Sequence, residues 1–355
     1  TTGKVGIGLQ GVPNAQLHIV PGTSGSVGTT TAEWGSLLEP VTADDAGIDD
    51  VNYCIAKSVA TDSGGNVYVT GLYGHSSGNW TVGNAITLPS TGYDVNNYRS
   101  FILKYNSSGI IQWAKSIASD SKSRGGGIVV DSSGNVFAIG RYASFNSVSL
   151  GLDAYGSSVS LPMSTGSGSG RNPYIINYNA SGTIQWANSI GSSVDSTEGD
   201  ESIAVDSSGN VYISGSSYST SSVSLGNGIS LAGGTNFQSY TIKYNASGTA
   251  QWANMITATS GAYALGIGTD SSGNVITTGY YSSNSTASVG NGKFLPSTTA
   301  FPDRDAFIVK YNTGGTAQWA NSISDSGTAI IKGLDVATDS SGNVIVTGHY
   351  NGTLS

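Results

Sequence analysis

Two short motifs recur along the chain at a shared interval, and this repetition constrains the fold more than any other feature of the sequence. The motif Asp-Ser-Ser-Gly-Asn-Val begins at Asp131, Asp206, Asp270 and Asp339, with the variant Asp-Ser-Gly-Gly-Asn-Val at Asp62. A second motif, Tyr-Asn-x-x-Gly-x-x-Gln-Trp-Ala, contains Trp113, Trp186, Trp252 and Trp319. Because both motifs keep a spacing of 64 to 75 residues, the chain is an array of similar structural units.

Each unit is predicted to consist of short antiparallel strands joined by tight turns. Residues 202–205 and 211–215 alternate in polarity and are rich in β-branched residues, which is typical of strands. Between them, Asp206 is expected to bond the backbone two residues on, and glycine to take a positive φ. A second hairpin is predicted around Asn312. We therefore interpret the recurrent Asp and Asn residues as turn formers, and the four recurrent tryptophans as the structural core of each unit.

A stretch of variable length separates the two hairpins of each unit. It keeps a pattern from Val-Gly-Asn to Leu-Pro, as in residues 82–89 and 289–296, and a longer version occupies residues 148–162. Length variation within a repeat maps to loops on one face, which is often the binding face. Since no window shows helical periodicity with proper caps, the prediction is all-β.

Repeated four-stranded units without helices indicate a β-propeller, whose radial arrangement hides most strand edges. The period exceeds the roughly 40 to 50 residues of familiar blades, and the variable stretch with its extra hairpin accounts for the difference. The 51 glycines fit this interpretation, since we expect many of them in Ser-Gly-Asn, Thr-Gly and Ser-Gly-Thr turns.

The repeated unit also resembles a known family. Residues 202–215, followed by Lys243-Tyr244-Asn245, are similar to the SBBP family of β-propeller repeats, and the resemblance extends from about residue 52 to the end of the chain. It implies a scaffold of the kind found in bacterial and viral surface proteins, and it implies no particular activity.

The number of blades depends on how the fifth unit is completed. Complete units are predicted at about 52–118, 124–191, 200–257 and 262–324, and a fifth runs from about 331 to 355. Thr31-Ala32-Glu33-Trp34 parallels Thr316-Ala317-Gln318-Trp319, so residues 15–38 are predicted to complete the fifth blade by strand exchange between the termini. The rival hypothesis is a truncated propeller of seven blades, and the propeller domain as a whole is assigned to residues 31–355.

Residues 1–30 are predicted to form an attachment segment. Thr2 to Gly8 and Gln16 to Val20 resemble the Gly-x-Val-Gly-Ile-Gly…Pro…Leu-His-Val segment of phage and giant-virus tail fibres, with a departure at Leu9-Gln10-Gly11. That resemblance implies a module within a fibre. Because the sequence starts without Met or a signal peptide, we expect a processed product or an excerpt of a longer chain.

Composition excludes several classes of partner. With 14 Lys and Arg against 22 Asp and Glu, the net charge is −8, so the chain lacks the basic surface that nucleic acids and anionic lipids require. No apolar run is long enough for membrane insertion. Cys54, the single cysteine, cannot form an intrachain disulfide and is predicted to be a small buried hydrophobe.

The sequence contains no convincing catalytic constellation, and we predict that the protein is not an enzyme. Its three histidines are scattered, and no nucleophile elbow or phosphate-binding loop is present. The densest carboxylate clusters are solvated charge in the simplest interpretation. They are also weak Ca²⁺ candidates, the only cofactor considered, at Asp195, Glu198 and Asp200.

Tyrosines crowd the variable stretches and suggest carbohydrate binding, because aromatic rings beside Asn and Ser suit a polyhydroxyl ligand. The simpler alternative is that tyrosine fills half-buried strand surfaces. The glycan-binding candidates are Tyr73, Tyr142, Tyr218, Tyr280 and Tyr281. Six sequons are candidate glycosylation sites, at Asn79, Asn106, Asn179, Asn245, Asn284 and Asn351.

Together these features predict a structural or adhesion module of a virion, fibre or cell surface, which presents variable loops from a rigid propeller. Its expected partners are other structural proteins of a fibre, shell or virion, host-surface glycans, or further copies of itself in a homo-oligomer. A secreted, lectin-like glycan-binding propeller and a polysaccharide-degrading enzyme remain as alternatives.

Overall fold

The computed structural model describes residues 53–75, 79–91, 98–163, 172–191, 201–298, 304–325 and 329–351. All regular secondary structure in these ranges is β, in agreement with the predicted class. It comprises four repeated sheets of four antiparallel strands, four two-stranded hairpins and one further two-stranded sheet. This architecture confirms a β-propeller of repeated units.

The first two blades have the same strand order. Blade 1 contains β1 (Tyr53–Thr61), β2 (Val67–Gly74), β3 (Trp80–Gly83), β4 (Ile86–Leu88), β5 (Arg99–Tyr105) and β6 (Ile111–Ile117). Blade 2 contains β7 (Lys122–Val130), β8 (Val136–Ala143), β9 (Val148–Leu152), β10 (Ser158–Leu161), β11 (Asn172–Tyr178) and β12 (Ile184–Ser189). In each blade the first, second, fifth and sixth strands form the main sheet, and the third and fourth form a separate hairpin.

Blades 3 and 4 repeat this order, and the fifth unit begins it. Blade 3 contains β13 (Ser202–Val205), β14 (Val211–Ser217), β15 (Val223–Gly226), β16 (Ile229–Leu231), β17 (Gln238–Tyr244) and β18 (Ala250–Ile256). Blade 4 contains β19 (Ala262–Thr269), β20 (Val275–Tyr281), β21 (Ala287–Gly290), β22 (Lys293–Leu295), β23 (Asp305–Tyr311) and β24 (Ala317–Ile323). The fifth unit contains β25 (Ile330–Thr338) and β26 (Val344–Asn351).

The first strand of every unit lies at the centre of the molecule. Neighbouring first strands contact one another, from β1 through β7, β13 and β19 to β25. Each small hairpin instead packs on the last strand of its own blade, so it covers the outer rim. The extra residues of each repeat therefore protect a sheet edge that would otherwise be open.

Three of the large hydrophobic clusters lie between blades, and a fourth lies within blade 1. One cluster joins Tyr68 and Ile102 of blade 1 to Ile128 and Tyr174 of blade 2. Equivalent clusters join blade 2 to blade 3 and blade 3 to blade 4. Blades 2 and 3 are therefore packed on both faces by their neighbours, so that blades 1 to 4 form a continuous array.

Thr-Gly occurs in the Asn312 turn, as predicted, but three Thr-Gly glycines occupy strands, and for these the prediction of a turn is wrong. Gly71, Gly279 and Gly348 lie within second strands, opposite the point where the first strand carries a β-bulge. A Cβ on Gly279 would overlap the carbonyl oxygen of Tyr263 and lie 2.9 Å from the Cα of Ala264. Glycine is required here by the close approach of two backbones.

Candidate functional site

The two faces of the ring are built from different parts of the repeat. Because the strands of a blade alternate in direction, both repeated turns of every blade lie at one face, which we call the turn face. The connections from second to third main-sheet strand and from blade to blade start and end at the opposite, variable face. The hairpin within a connection runs back along the rim, so that its tip lies near the turn face, as the bond from Asn227 to the carbonyl of Ala250 indicates. Contacts confirm this grouping, since a Cβ on Gly273 would lie 3.3 Å from Thr313 of its own blade and 3.6 Å from Asp206 of the preceding blade.

On the turn face, the repeated aspartates bind their own turns. In blade 3, Oδ1 of Asp206 accepts the backbone N–H groups of Ser208 and Asn210, both at 2.9 Å. Its Oδ2 accepts Nδ2 of Asn210 at 2.8 Å and the hydroxyl of Tyr212 at 3.0 Å. The first three of these bonds recur at Asp62, Asp131, Asp270 and Asp339. These carboxylates are turn formers, as the sequence predicts.

Asp270 is further stabilised by Lys310, whose Nζ lies 2.8 Å from Oδ2. Burial alone would raise the pKa of this carboxyl, but the hydrogen bonds from Lys310, Asn274 and Ser272 outweigh it and lower the pKa to about 2. The turn is therefore built around an ionised group.

All four repeated tryptophans are half-buried, and three of them, Trp113, Trp186 and Trp252, lie at the joints between blades. Trp186 of blade 2 donates Nε1–H to the carbonyl of Ala246 in blade 3 at 2.9 Å. Its ring lies between Phe137 of its own blade and Tyr244 of the next, with centroid distances of 6.0 and 6.2 Å. Trp113 and Trp252 make the equivalent bonds to Ala180 and Thr313. Their structural role is thus to lock one unit to the next rather than to fill the centre of their own.

The predicted glycan-binding tyrosines Tyr73, Tyr142 and Tyr281 are buried. Each donates its hydroxyl to the proline carbonyl that ends the hairpin of its own blade, at 2.7 to 2.9 Å. Burial raises the pKa of Tyr281 to about 12. These rings attach the rim hairpins to the main sheets and present no face to a ligand, so the structure contradicts the prediction for these three residues. The sequence signal for this role is a tyrosine near the end of the second strand that is followed by the proline of a Leu-Pro pair 15 to 20 residues later.

Tyr218 and Tyr280 instead belong to an aromatic strip that joins blades 3 and 4. Tyr218, Phe237 and Tyr263 are half-exposed and follow one another at centroid distances of 5.5 and 5.3 Å. Tyr263 stacks on buried Tyr280 at 4.8 Å. Tyr280 itself is 1% exposed, so only the other three rings can face a ligand.

Large exposed apolar side chains concentrate in the blade 2 connection, between β8 and β11. Within this connection the exposed fractions are 66% for Phe145, 62% for Leu152, 93% for Tyr155 and 59% for Met163. Asp120 fixes its start by accepting the hydroxyl of Ser144 at 2.6 Å and the N–H of Phe145 at 2.8 Å. A protein surface does not usually carry so many large apolar groups on one segment without a partner. We call these four residues the apolar connection.

A central cavity of about 400 Å³ is lined by the first strands of all five units. The β-bulges expose Lys57, Leu265 and Leu334 to it. Glu201 also lines the cavity, and its buried carboxylate forms an ion pair with Arg141. Sequence reasoning did not identify this pair, because no local motif connects residues 60 positions apart.

The remaining predicted sites are distributed as follows. The Ca²⁺ candidates Asp195, Glu198 and Asp200 lie outside the described residues, and no group of three or more potential metal ligands occurs within them. Among the sequons, Asn79, Asn284 and Asn351 are exposed, while Asn106, Asn179 and Asn245 are half-buried in repeated turns. Glycosylation stays a prediction. No helix in the described ranges is long and apolar enough to cross a membrane.

A family model and one relative agree with the fold. The SBBP β-propeller repeat family model matches residues 197–221. The chain is 26% identical over 338 residues to an uncharacterised WD repeat-containing protein of Acanthamoeba polyphaga mimivirus, covering 84% of this chain. It spans 24% of the length of that relative. Among solved structures, a protein of unknown function from Bacteroides caccae aligns with 76% of this chain and 82% of its own, at 9% identity and a TM-score of 0.32. The family and the relative support a β-propeller repeat protein.

Proposed function

We propose that this chain is a non-enzymatic structural or adhesion module on the surface of a virion, fibre or cell. The apolar connection carries this proposal, because its four large exposed side chains lie on the one segment between β8 and β11. The turn face differs, since its carboxylates and amides are bound within their own turns. A neighbouring structural protein with an apolar patch is the partner that this surface fits.

The relatives are consistent with such a module. The similar protein is a mimivirus protein about four times as long as the matched region. By analogy, the propeller would be one module of a larger protein. The resemblance of residues 2–20 to tail-fibre segments supports the virion surface as the location that we propose.

A cryo-EM map of the native assembly tests this proposal. We expect density from a neighbouring subunit over Tyr155 and Met163, and none over the turn-face residues Ser133 and Ser208. Contacts made through the turn face, with the apolar connection left in solvent, would contradict the assignment.

A second candidate function, glycan binding, is favoured by the aromatic strip. Tyr218, Phe237 and Tyr263 offer adjacent half-exposed rings, and the Asn236 amide beside them donates to the carbonyl of Thr259 at 2.5 Å. Such rings provide flat apolar surfaces next to polar groups, which suits the faces of a sugar. A glycan array of the purified protein should then show binding that Phe237→Ala removes and Phe294→Ala, on an exposed rim hairpin, does not. Uniform non-binding would leave only the structural role.

A further inference from the structure

The fifth unit exposes positions that are buried in every other blade. Position for position, the second-strand residues Tyr68, Phe137, Tyr212 and Ile276 are at most 1% exposed, whereas Ile345 on β26 is 52% exposed. Six residues after the first residue of these strands, Tyr73, Tyr142 and Tyr281 are also at most 1% exposed, whereas Tyr350 is 38% exposed.

The difference arises at the strand edge. In blades 1 to 4 the second strand pairs with the next main-sheet strand on its outer side, as β20 pairs with β23. In the described residues β26 pairs with β25 alone. A long edge strand with exposed apolar groups is a site for pairing with another segment.

We infer that this edge is a docking site for residues 15–38 of the same chain, which would supply the two outer strands of the fifth blade. The chain has six tryptophans, of which four belong to the repeats and Trp80 to a rim hairpin. Trp34 is the sixth, and it follows Thr-Ala-Glu where the repeats have Thr-Ala-Gln or its variants.

The spacing around Trp34 matches the repeats as well. An apolar residue follows each repeated tryptophan by four positions, at Ile117, Ile190, Ile256 and Ile323, and Leu38 occupies this position after Trp34. From Leu38 to the start of β1 at Tyr53 the chain has 14 residues, compared with 11 between the equivalent Ile190 and the start of β13 at Ser202. The link to blade 1 is therefore long enough.

The occupied edge would also complete the series of tryptophan joints. In ring order, a tryptophan of the fifth blade would meet the turn at 106–110 of blade 1. There Ser107 corresponds to Ala180, Ala246 and Thr313, whose carbonyls accept the other three tryptophans. Trp319 would meet the turn between residues 20 and 31 in the same way.

A pair of cysteines tests the register. If Leu17–Val20 corresponds to Phe307–Lys310, His18 lies opposite Thr347, as Ile308 lies opposite Thr278. In a Cys54→Ala background of the full chain, oxidation of His18→Cys/Thr347→Cys should give an intramolecular disulfide. The control pair His18→Cys/Val346→Cys should not, because residue 346 faces the other side of the sheet.

Thermal unfolding gives a second measurement. Trp34→Ala should lower the Tm by about 5 °C, as Trp113→Ala should, since both would remove one joint between blades. If residues 17–20 belong to a trimeric fibre stalk, the cysteines would instead link separate chains, which overturns the inference. It is also overturned if neither cysteine pair cross-links and Trp34→Ala leaves the Tm unchanged.

Discussion

The turn face and the rim hairpin of blade 2 contain the same kind of turn in different settings. Asp206 on the turn face and Asp153 in the blade 2 connection both accept two backbone N–H groups through Oδ1. Only Asp206 also holds a tyrosine hydroxyl and lies against the next blade. One local motif thus becomes part of the scaffold when the second carboxylate oxygen of its aspartate accepts further hydrogen bonds and the turn packs against the next blade. Without these contacts the same motif is an isolated surface turn.

The largest expected difference in stability is between two glycine substitutions, one in the main sheet and one in the blade 2 hairpin. Gly279→Ala should destabilise the protein by about 3 kcal/mol or more, because its Cβ would collide with the backbone of β19. The matched control is Gly151→Ala in the blade 2 hairpin, where φ is +109° but no atom lies within 4 Å. Its cost should be about 1 kcal/mol. Equal urea-unfolding free energies for the two variants would break the comparison.

Removal of a joint between blades should have the next largest effect. Trp252→Ala loses the bond to Thr313 at 3.0 Å and the ring contacts to Tyr212 and Tyr311. We expect a loss of about 2 to 3 kcal/mol in the free energy of unfolding, below the value for a fully buried aromatic. Phe294→Ala on the exposed rim hairpin serves as the control and should change it by less than about 0.5 kcal/mol.

Substitution of the two equivalent aspartates compares the turn face directly with the rim hairpin of blade 2. Asp206→Asn should cost about 1 to 2 kcal/mol, since the charged acceptor of Asn210 and Tyr212 is lost. Asp153→Asn should cost about 0.5 kcal/mol or less, because an amide oxygen can still accept both backbone bonds. Chemical denaturation of the two variants side by side measures the difference. A larger cost at Asp153 would show that the connection is part of the scaffold.

The smallest expected effect is the pH dependence of the stability that Asp270 contributes. The folded-state pKa of Asp270 is about 2, below its ordinary value of 3.8, so its ionised form stabilises the folded protein above pH 4. This contribution should disappear as the pH falls from about 4 to 2. The stability difference between the wild type and Asp270→Asn, followed by thermal unfolding across this range, should therefore narrow on acidification. A difference that is constant with pH would refute the role of the ionised turn.

The repeat predicts most of the scaffold because its motifs encode local geometry. The turn role of Asp206 and Asn245 follows from side chains that bond the backbone two and four residues on. Gly279 was misassigned to a turn because its requirement comes from a neighbouring strand that the local sequence does not reveal. Tyr142 was misassigned to a ligand surface for the same reason, since its partner carbonyl at Pro162 is 20 residues away.

The candidate surface was predicted only in outline. Length variation pointed to the connections, but hydropathy alone does not separate exposed Tyr155 from buried Tyr142. The two differ because Tyr142 lies on a main-sheet strand of blade 2 that packs against blade 1, whereas Tyr155 lies at the tip of a hairpin turn. Position within the repeat, rather than residue type, decides which aromatic groups a partner can reach.

A loop exchange tests most directly the claim that the apolar connection binds a partner without contributing to the stability of the propeller. Residues 144–171 of blade 2 are replaced by residues 218–237 of blade 3, whose hairpin keeps the buried leucine at position 231 but lacks the apolar connection. The prediction is a Tm within about 3 °C of the wild type, together with loss of the neighbouring subunit from the native assembly. A large fall in Tm, or an assembly that retains its neighbour at this surface, would contradict the account.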